Sequence, residues 1–327
     1  MSHPEEIATC VVTVTYGERV PLLARVLRAA FQCGARYAVV VDNGTPATSK
    51  KALVDLQNEL GREAMEIIAL PRNEGSAGGF HAGLRRAAQL RDMRFVWVLD
   101  DDNLPEENAL SVLMDKWTQL GAHETDAMMC FRKEKRAYRK VLARKTLHWV
   151  EPDAFFDFNL AHLWNGGKRQ AHIEKGCIEL GVAAYGGLWF ARSWLDRIAL
   201  PPERFHLYFD DYAFSHQIPE HGGRIWLCPD SRLNDIDISW QANRDEIHPW
   251  LEPATEERRI FCTIRNRLWL ERPVARSRGL HMVNMALYLG VKVIGANLGA
   301  MARRFRSAPV FVRRFRLIGR AIRAGLS

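Results

Sequence analysis

The stretch Arg94-Phe95-Val96-Trp97-Val98-Leu99-Asp100-Asp101-Asp102-Asn103-Leu104-Pro105 decides how the chain is read. Phe95 to Leu99 is a short run of apolar, aromatic and β-branched residues, the composition of a strand buried on both faces. It ends in three consecutive carboxylates. Pro105 followed by Glu106 and Glu107 then predicts the start of an acid-rich helix. Three carboxylates at the carboxyl end of a buried strand repel one another and lose hydration, so a compensating charge is needed. A hard divalent cation, Mg²⁺ or Mn²⁺, takes carboxylate oxygens and shares its sphere with substrate phosphates. A solvated Asp-rich turn capping the next helix is the alternative.

Upstream, strands and helices alternate. Thr9 to Thr15 is predicted as a strand, and Tyr16-Gly17-Glu18-Arg19 as a loop. Val20 to Cys33 carries helical spacing and stops at Gly34. Strands over Tyr37–Val41 and Met65–Leu70 flank a helix over about 49–61. A glycine-rich loop, residues 71–79, precedes a helix over 80–89. Short connections between alternating elements imply a mainly parallel sheet flanked by helices. Such sheets bind ligands beyond the carboxyl ends of their strands, where Asp42, Asn73 and Asp100–Asp102 all fall. Gly75, Gly78 and Gly79 would let a phosphate approach backbone amides at a helix start. A plain tight loop explains them equally well, because the pattern is neither G-x-G-x-x-G nor a P-loop.

The chain has 327 residues, with 46 Lys and Arg against 38 Asp and Glu, a net charge of +8. That excess belongs to one end. After Glu271 there are twelve Lys or Arg and no acid, leaving 34 basic against 38 acidic side chains before it. A mildly acidic body argues against a nucleic-acid groove. The six cysteines are scattered, with no metal-finger spacing, and the first residues hold no apolar signal core, so a reduced, cytoplasmic protein is the expectation.

The motifs Val12-Thr13-Val14-Thr15-Tyr16, Val41-Asp42-Asn43-Gly44, Asn73-Glu74-Gly75-Ser76-Ala77-Gly78-Gly79-Phe80 and Leu99-Asp100-Asp101-Asp102 together resemble the family 2 glycosyltransferases over about residues 8–272. Those are inverting enzymes of the GT-A fold, and the last motif is their DXD. The Asn-x-Gly-x-x-Gly-Gly-Phe form with a triple Asp is most similar to the galactofuranosyltransferases. Rhamnosyltransferase-like relatives, which would use a dTDP-sugar, share the layout. The resemblance implies that Asp42 bonds uracil, Asn73 lies near the donor diphosphate, Asp100 and Asp102 hold the metal, and Asp101 faces the ribose. It also puts Thr15, Tyr16, Arg19, Gly75, Gly78 and Gly79 on the substrate side. Residues 8–131 would form the donor half and residues 177–272 the acceptor half.

In the second half, Gly186 and Gly187 match the loop that lines the acceptor in the family. Asp210 and Asp211 follow an aromatic-rich turn, and inversion needs a carboxylate opposite the leaving nucleotide. The resemblance makes Asp211 that base and Asp210 its neighbour; capping of a helix expected over 212–221 is the alternative for both. Many relatives place a metal-binding His some six residues beyond the Pro of the strand at 224–229. Here Asp235 stands there, with Asp237 the neighbouring candidate; a missing third ligand replaced by water is the alternative. The basic run at 132–140 reads as a solvated face. Residues 132–176 read as an insertion near the acceptor, with aromatics at Trp149, Phe155, Phe156, Phe158 and Trp164 that suit sugar rings; a peripheral packing cluster is the alternative.

Glu256 to Leu270 is predicted as the helix closing the catalytic domain. Residues 280–301 are apolar but interrupted by Asn284, Lys292 and Asn297, which argues against a membrane span. From Arg303, eight Arg alternate with apolar residues, and Phe311, Phe315, Ile318 and Ile322 recur at helical spacing. That pattern predicts a basic amphipathic tail, residues 273–327, lying on an anionic membrane surface at the inner face of the cell membrane; a subunit contact is the alternative. The acceptor implied is a glycan or lipid-linked glycan, and the donor UDP-galactofuranose. Two other functions share some of these features. A nucleotidyltransferase would carry a Gly-rich, Lys- or Arg-bearing loop after its first strand, and a membrane-docked scaffold would explain the missing His.

Overall fold

The computed structural model describes residues 7–163, 167–237, 248–298 and 308–327. Trp164 and the arginines at 303, 304 and 306 lie outside them. The chain divides into two compact units. The first comprises Met1–Trp149, Arg169–His206 and Asp210–Ile238; the second comprises Val150–Lys168, Leu207–Phe209 and Ser239–Ser327. The expected boundary at 272 therefore falls inside the second unit, and residues 150–168 belong with it.

The first unit is a mixed α/β fold around one mainly parallel sheet. Strands β1 (Thr9–Thr15), β2 (Tyr37–Asn43), β3 (Met65–Leu70) and β4 (Phe95–Asp100) lie parallel in the order β3-β2-β1-β4. The apolar runs of β1, β2 and β4 are buried almost throughout, while the edge strand β3 is mostly half-buried. The register sets Thr15 beside Asp42 and Val14 beside Asp100, so three strand ends share one edge.

Beyond β4 the direction alternates. Strand β5 (Asn103–Pro105) is short, β6 is Asp126–Arg132, β7 Ile173–Glu174, β8 Cys177–Leu180, β9 Leu188–Ala191 and β10 Arg224–Asp235. Strand β9 runs antiparallel between β4 and β6, β10 runs parallel to β6, and β8 and β7 complete that side. An irregularity between Cys228 and Arg232, which contains Pro229, bends β10 so that its far end pairs with β5.

Three expected boundaries change here. Pro105 ends a strand rather than opening a helix. The following helix begins only at Ala109, because Asn103–Pro105 pairs with Leu233–Asp235 first. Five residues expected as loop are helical, since the helix α3 (Gly75–Ala87) follows α1 (Val20–Gln32) and α2 (Ala47–Leu60) with its glycines inside it. The helix expected over 212–221 is two short ones. After α4 (Ala109–Gln119) and α5 (Arg136–Arg144) come α6 (Asp210–Ser215) and α7 (Gln217–Glu220), so Asp210 and Asp211 form the first turn of α6.

The second unit has its own core. Helix α8 (Glu257–Glu271), the 278–298 helix beginning with α9 (Arg278–Leu287), and α10 (Ala308–Leu326) enclose Leu251, Ile260, Ile264, Leu268, Met285 and Val293. Helix α10 packs along α8. Phe311 and Ile318 are buried in this core, with Phe315 and Ile322 partly buried against it. The expected membrane-facing stripe of the tail is therefore an inward face. Arg314 is turned in as well, donating to the carbonyls of Glu252, Pro253 and Thr255.

Candidate active site

The sheet's carboxyl edge gathers the acids around two guanidinium groups. Asp101, almost wholly buried, accepts from Thr15 Oγ1 at 2.8 Å and from Arg19 Nε and Nη2 at 3.0 and 2.8 Å. Arg19 Nη2 also reaches Asp102 Oδ2 at 2.9 Å, and its Nη1 bonds Asp237. Burial works against the Arg19 charge, yet its bonds to Asp101 and then Asp237 outweigh it and hold the group protonated above its usual range. Tyr16 lies under the same guanidinium, 5.5 Å from ring centre to Cζ.

Arg132 is the second anchor. It ends β6, has 9% of its side chain exposed, and donates from Nε to Asp235 Oδ1 at 2.9 Å and from Nη1 to Asp100 Oδ2 at 3.4 Å. Asn103 ties the acids together, its Nδ2 donating to Asp102 Oδ1 at 3.1 Å and to Asp235 Oδ1 at 3.0 Å. Asp100 keeps 36% of its side-chain surface in contact with solvent. Protein still crowds it, and desolvation moves its pKa up to about 6, with Arg132 opposing the shift. Burial likewise raises Asp101 and Asp102 above the usual carboxylate range.

The three expected metal ligands are thus brought to one place, but their oxygens face arginine and amide donors. Among the described residues no three of His, Cys, Asp and Glu are disposed to hold a metal ion together. The chemistry of the set nonetheless fits a hard cation: Asp100, Asp102 and Asp235 offer only carboxylate oxygens, and burial disfavours the charged form of the first two, a cost that a bound cation would offset.

Gly186 faces this cluster. A Cβ on it would lie 1.8 Å from Asn103 Oδ1 and 2.7 Å from Asp100 Oδ2. Gly187 turns the chain into β9 at φ +105°. The loop is held from below, as Ala184 N donates to the buried Tyr138 hydroxyl at 3.0 Å and Ala183 is paired with Ser215 Oγ.

The glycine segment is more occupied than the sequence implied. Gly75 N donates to Asn73 Oδ1 at 2.8 Å, and Ala77 N to His206 O at 3.2 Å. Two amides that an incoming phosphate would use are therefore taken. Gly79 instead lets α3 approach β1, since a Cβ there would stand 2.5 Å from Val14 Cγ1, and one on Gly78 would meet Glu74 at the same distance. Asn43, not among the expected site residues, latches this segment by accepting from Glu74 N and donating to Gly75 O. Asp42 is almost fully buried and accepts from Thr45 N at 2.8 Å.

The pair Asp210–Asp211 opens α6. Asp210 is buried, accepts from Ser76 Oγ at 3.0 Å, and leaves Oδ2 buried without a partner, as is the Tyr185 hydroxyl beside it. Burial and then the neighbouring Asp211 push its pKa well up. Asp211 is only half-buried and accepts from Tyr212 N at 2.8 Å. Desolvation raises it too, opposed by Lys135, whose own pKa burial lowers.

Lys135 also feels Arg132, Asp100 and Asp235, so one field joins the acid edge to the α6 pair. The basic run at 132–140 is a solvated face in part: Lys133, Arg136, Arg139 and Lys140 are exposed, while Arg132 and Tyr138 are buried and Lys135 half-buried. Sequence reading missed Arg132, Lys135, Asn103 and Ser76. The available signal for Arg132 was its place at the carboxyl end of an apolar strand, the same rule that marked Asp100.

Comparison with known proteins follows this geometry. The family described as Glycosyl transferase family 2 matches residues 10–198, more than half of the chain. No curated protein sequence is a match. Among solved structures, the fold is similar to GalNAc-T7 with UDP, GalNAc and Mn²⁺ (TM-score 0.55, 13% identity, 82% of this chain and 48% of that one). It is also similar to the mannosyltransferase PcManGT of Pyrobaculum calidifontis with GDP-Man and Mn²⁺ (0.54, 14%, 97% and 85%). A third is S. aureus TarS 1-349 (0.51, 12%, 96% and 81%). The chain thus spans about half the length of GalNAc-T7. With a mainly parallel GT-A type sheet and a family match over more than half of its length, the chain belongs to glycosyl transferase family 2.

Proposed function

We propose that this chain is a metal-dependent, inverting enzyme that moves galactofuranose from UDP-galactofuranose to a hydroxyl of a glycan or lipid-linked glycan. The observation that carries the reading is the joining of two acid groups, at β4 and at α6, through Arg132 and Lys135 in one field. The donor's diphosphate belongs at the β4 edge and the acceptor hydroxyl at α6. The nucleotides and Mn²⁺ in the names of two similar structures support that side of the proposal. The sugar itself rests on the resemblance of the Asn73–Phe80 and triple-Asp motifs.

Asp100 and Asp102 would hold the divalent ion, with Asp235 beside them. When bound, such an ion neutralises a departing diphosphate. The chain's own part is proton transfer and positioning. Asp211 accepts the acceptor hydroxyl's proton on Oδ2, because Oδ1 already accepts from Tyr212 N. The hydroxyl oxygen then forms its bond to the anomeric carbon as the carbon–phosphate oxygen bond breaks on the opposite face. Asp210, held protonated by its burial, does not compete for that proton. Lys135 favours the ionised form of Asp211, opposing the desolvation that raises its pKa.

The reading is tested by incubating the purified protein with UDP-galactofuranose, other UDP-hexoses, GDP-mannose and dTDP-rhamnose, with Mn²⁺ or with chelator. Thermal protection and slow nucleotide release with UDP-galactofuranose, dependent on metal, are expected. Preference for dTDP-rhamnose, or protection unchanged by chelator, would overturn the donor or the metal respectively.

A further inference from the structure

The 278–298 helix turns apolar side chains both ways. Inward, the polar His281, Asn284 and Asn297 are buried beside the apolar Met285 and Val293. Each of the three polar side chains bonds the second unit's own backbone, with His281 Nε2 alone among them left buried without a partner. His281 Nδ1 meets Ala154 O at 3.0 Å, and Asn284 donates to Asp153 O while accepting from Leu160 N. Asn297 donates to Val293 O and accepts from His248 N. Its outward positions are apolar: Met282, Val283, Val291, Ile294 and Leu298 are exposed, Leu298 at 58%. A helix facing water carries polar residues on its outward side instead. Several large apolar side chains on one helical face, uncovered by the fold, mark a surface meant to be covered.

Charge says by what. Arg276 and Arg278 stand exposed at the start of this helix, Lys292 is exposed within it, and no acid follows Glu271 anywhere in the chain. Long cationic side chains bordering an apolar helical face suit an anionic bilayer, the carbon stems lying along the acyl boundary and the charges among headgroups. Two copies joined by this face in a symmetric contact would set the same cations against one another. The helix is also long and apolar enough to cross a membrane by length and composition. Crossing does not suit it, because its polar face is already bonded to protein, and only one side is available to lipid.

We propose that the outward face of the 278–298 helix lies in the headgroup layer of an anionic membrane and holds the enzyme at that surface. This replaces the buried stripe of α10 as the membrane contact and is independent of which sugar is transferred.

The test is sedimentation of the full chain with phosphatidylcholine vesicles, with and without phosphatidylglycerol. Binding to the anionic vesicles, weakening as salt rises, is expected. A Val283→Asp/Val291→Asp variant alters two exposed positions, so its thermal midpoint should match the parent. Its vesicle concentration for half-binding should rise about tenfold or more. Should that variant misfold, Arg276→Gln/Arg278→Gln gives the same readout, with a loss of about tenfold or more on anionic vesicles only. Binding of both variants equal to the parent's would overturn the proposal. So would a parent that ignores vesicles but sediments as a dimer that the Asp variant dissolves, which would assign the face to a second copy.

Discussion

Arg132 ends β6 between Asp100 and Asp235, and with so little of its side chain exposed it has no water to stand in for either partner. The acid edge is a balance of named pairs, and Gly186 shows how tightly they are set. Gly186→Ala would drive a Cβ into Asn103 Oδ1 and move the amide that holds Asp102 and Asp235. Donor affinity, read by calorimetry, should fall about tenfold or more, with a stability cost of about 1–3 kcal/mol. Unchanged affinity would remove Asn103 from the site. The acids themselves were legible in sequence because three carboxylates ending an apolar run are conspicuous. Arg132 and Lys135 were not, because a basic run in sequence looks the same whether solvent or acids face it. Glu271 gives a second test at this scale. It is buried against Arg267, which also pairs with Asp157, and burial lifts its pKa from 4.5 to about 7. The unfolded chain therefore ionises this group first, and stability is lost as pH rises from about 4.5 to 7. Glu271→Gln should flatten that part of a urea-denaturation pH profile, gaining on the parent as pH rises. A profile unchanged by the substitution would mean that the carboxylate is ionised throughout.

Helix α3 carries a different kind of information. Its glycines were read for phosphate approach, and in the fold they set the distance between helix and sheet. A Cβ on Gly83 would stand 2.7 Å from Val12 Cγ1 and 3.1 Å from Val41 Cγ2. Gly83→Leu should therefore cost about 1–3 kcal/mol by overpacking, measured by urea denaturation, despite leucine's better helix propensity. A stabilised variant would show that α3 can lift from the sheet without penalty. The strands β1 and β3 were legible residue for residue: β1 is a buried apolar run bounded by turns, and β3, half-buried at the sheet edge, carries the β-branched pair Ile67-Ile68. Strand β5 was hidden: its three residues read as a helix start, and only the bend of β10 brings it a partner.

Over the whole molecule, composition correctly separated an acidic body from a basic end, yet the units do not part at that point. Periodicity found the α10 helix, but it cannot say whether an apolar stripe faces a membrane or another helix, and α8 supplies the partner. Phe311→Asp should therefore lower stability by about 3 kcal/mol or more, while Val312→Asp, at a position 48% exposed, should be nearly neutral. Equal effects in thermal melts would mean that α10 does not pack as described. What the two acid groups do together is the central claim, and Asp211→Asn addresses it most directly. The substitution is nearly isosteric and leaves the β4 edge untouched. With UDP-galactofuranose, Mn²⁺ and an acceptor glycan, donor affinity should stay within a few-fold of the parent while turnover falls about 10²-fold or more, the scale of a lost general base. Turnover within a few-fold of the parent would contradict the account and move the base away from Asp211.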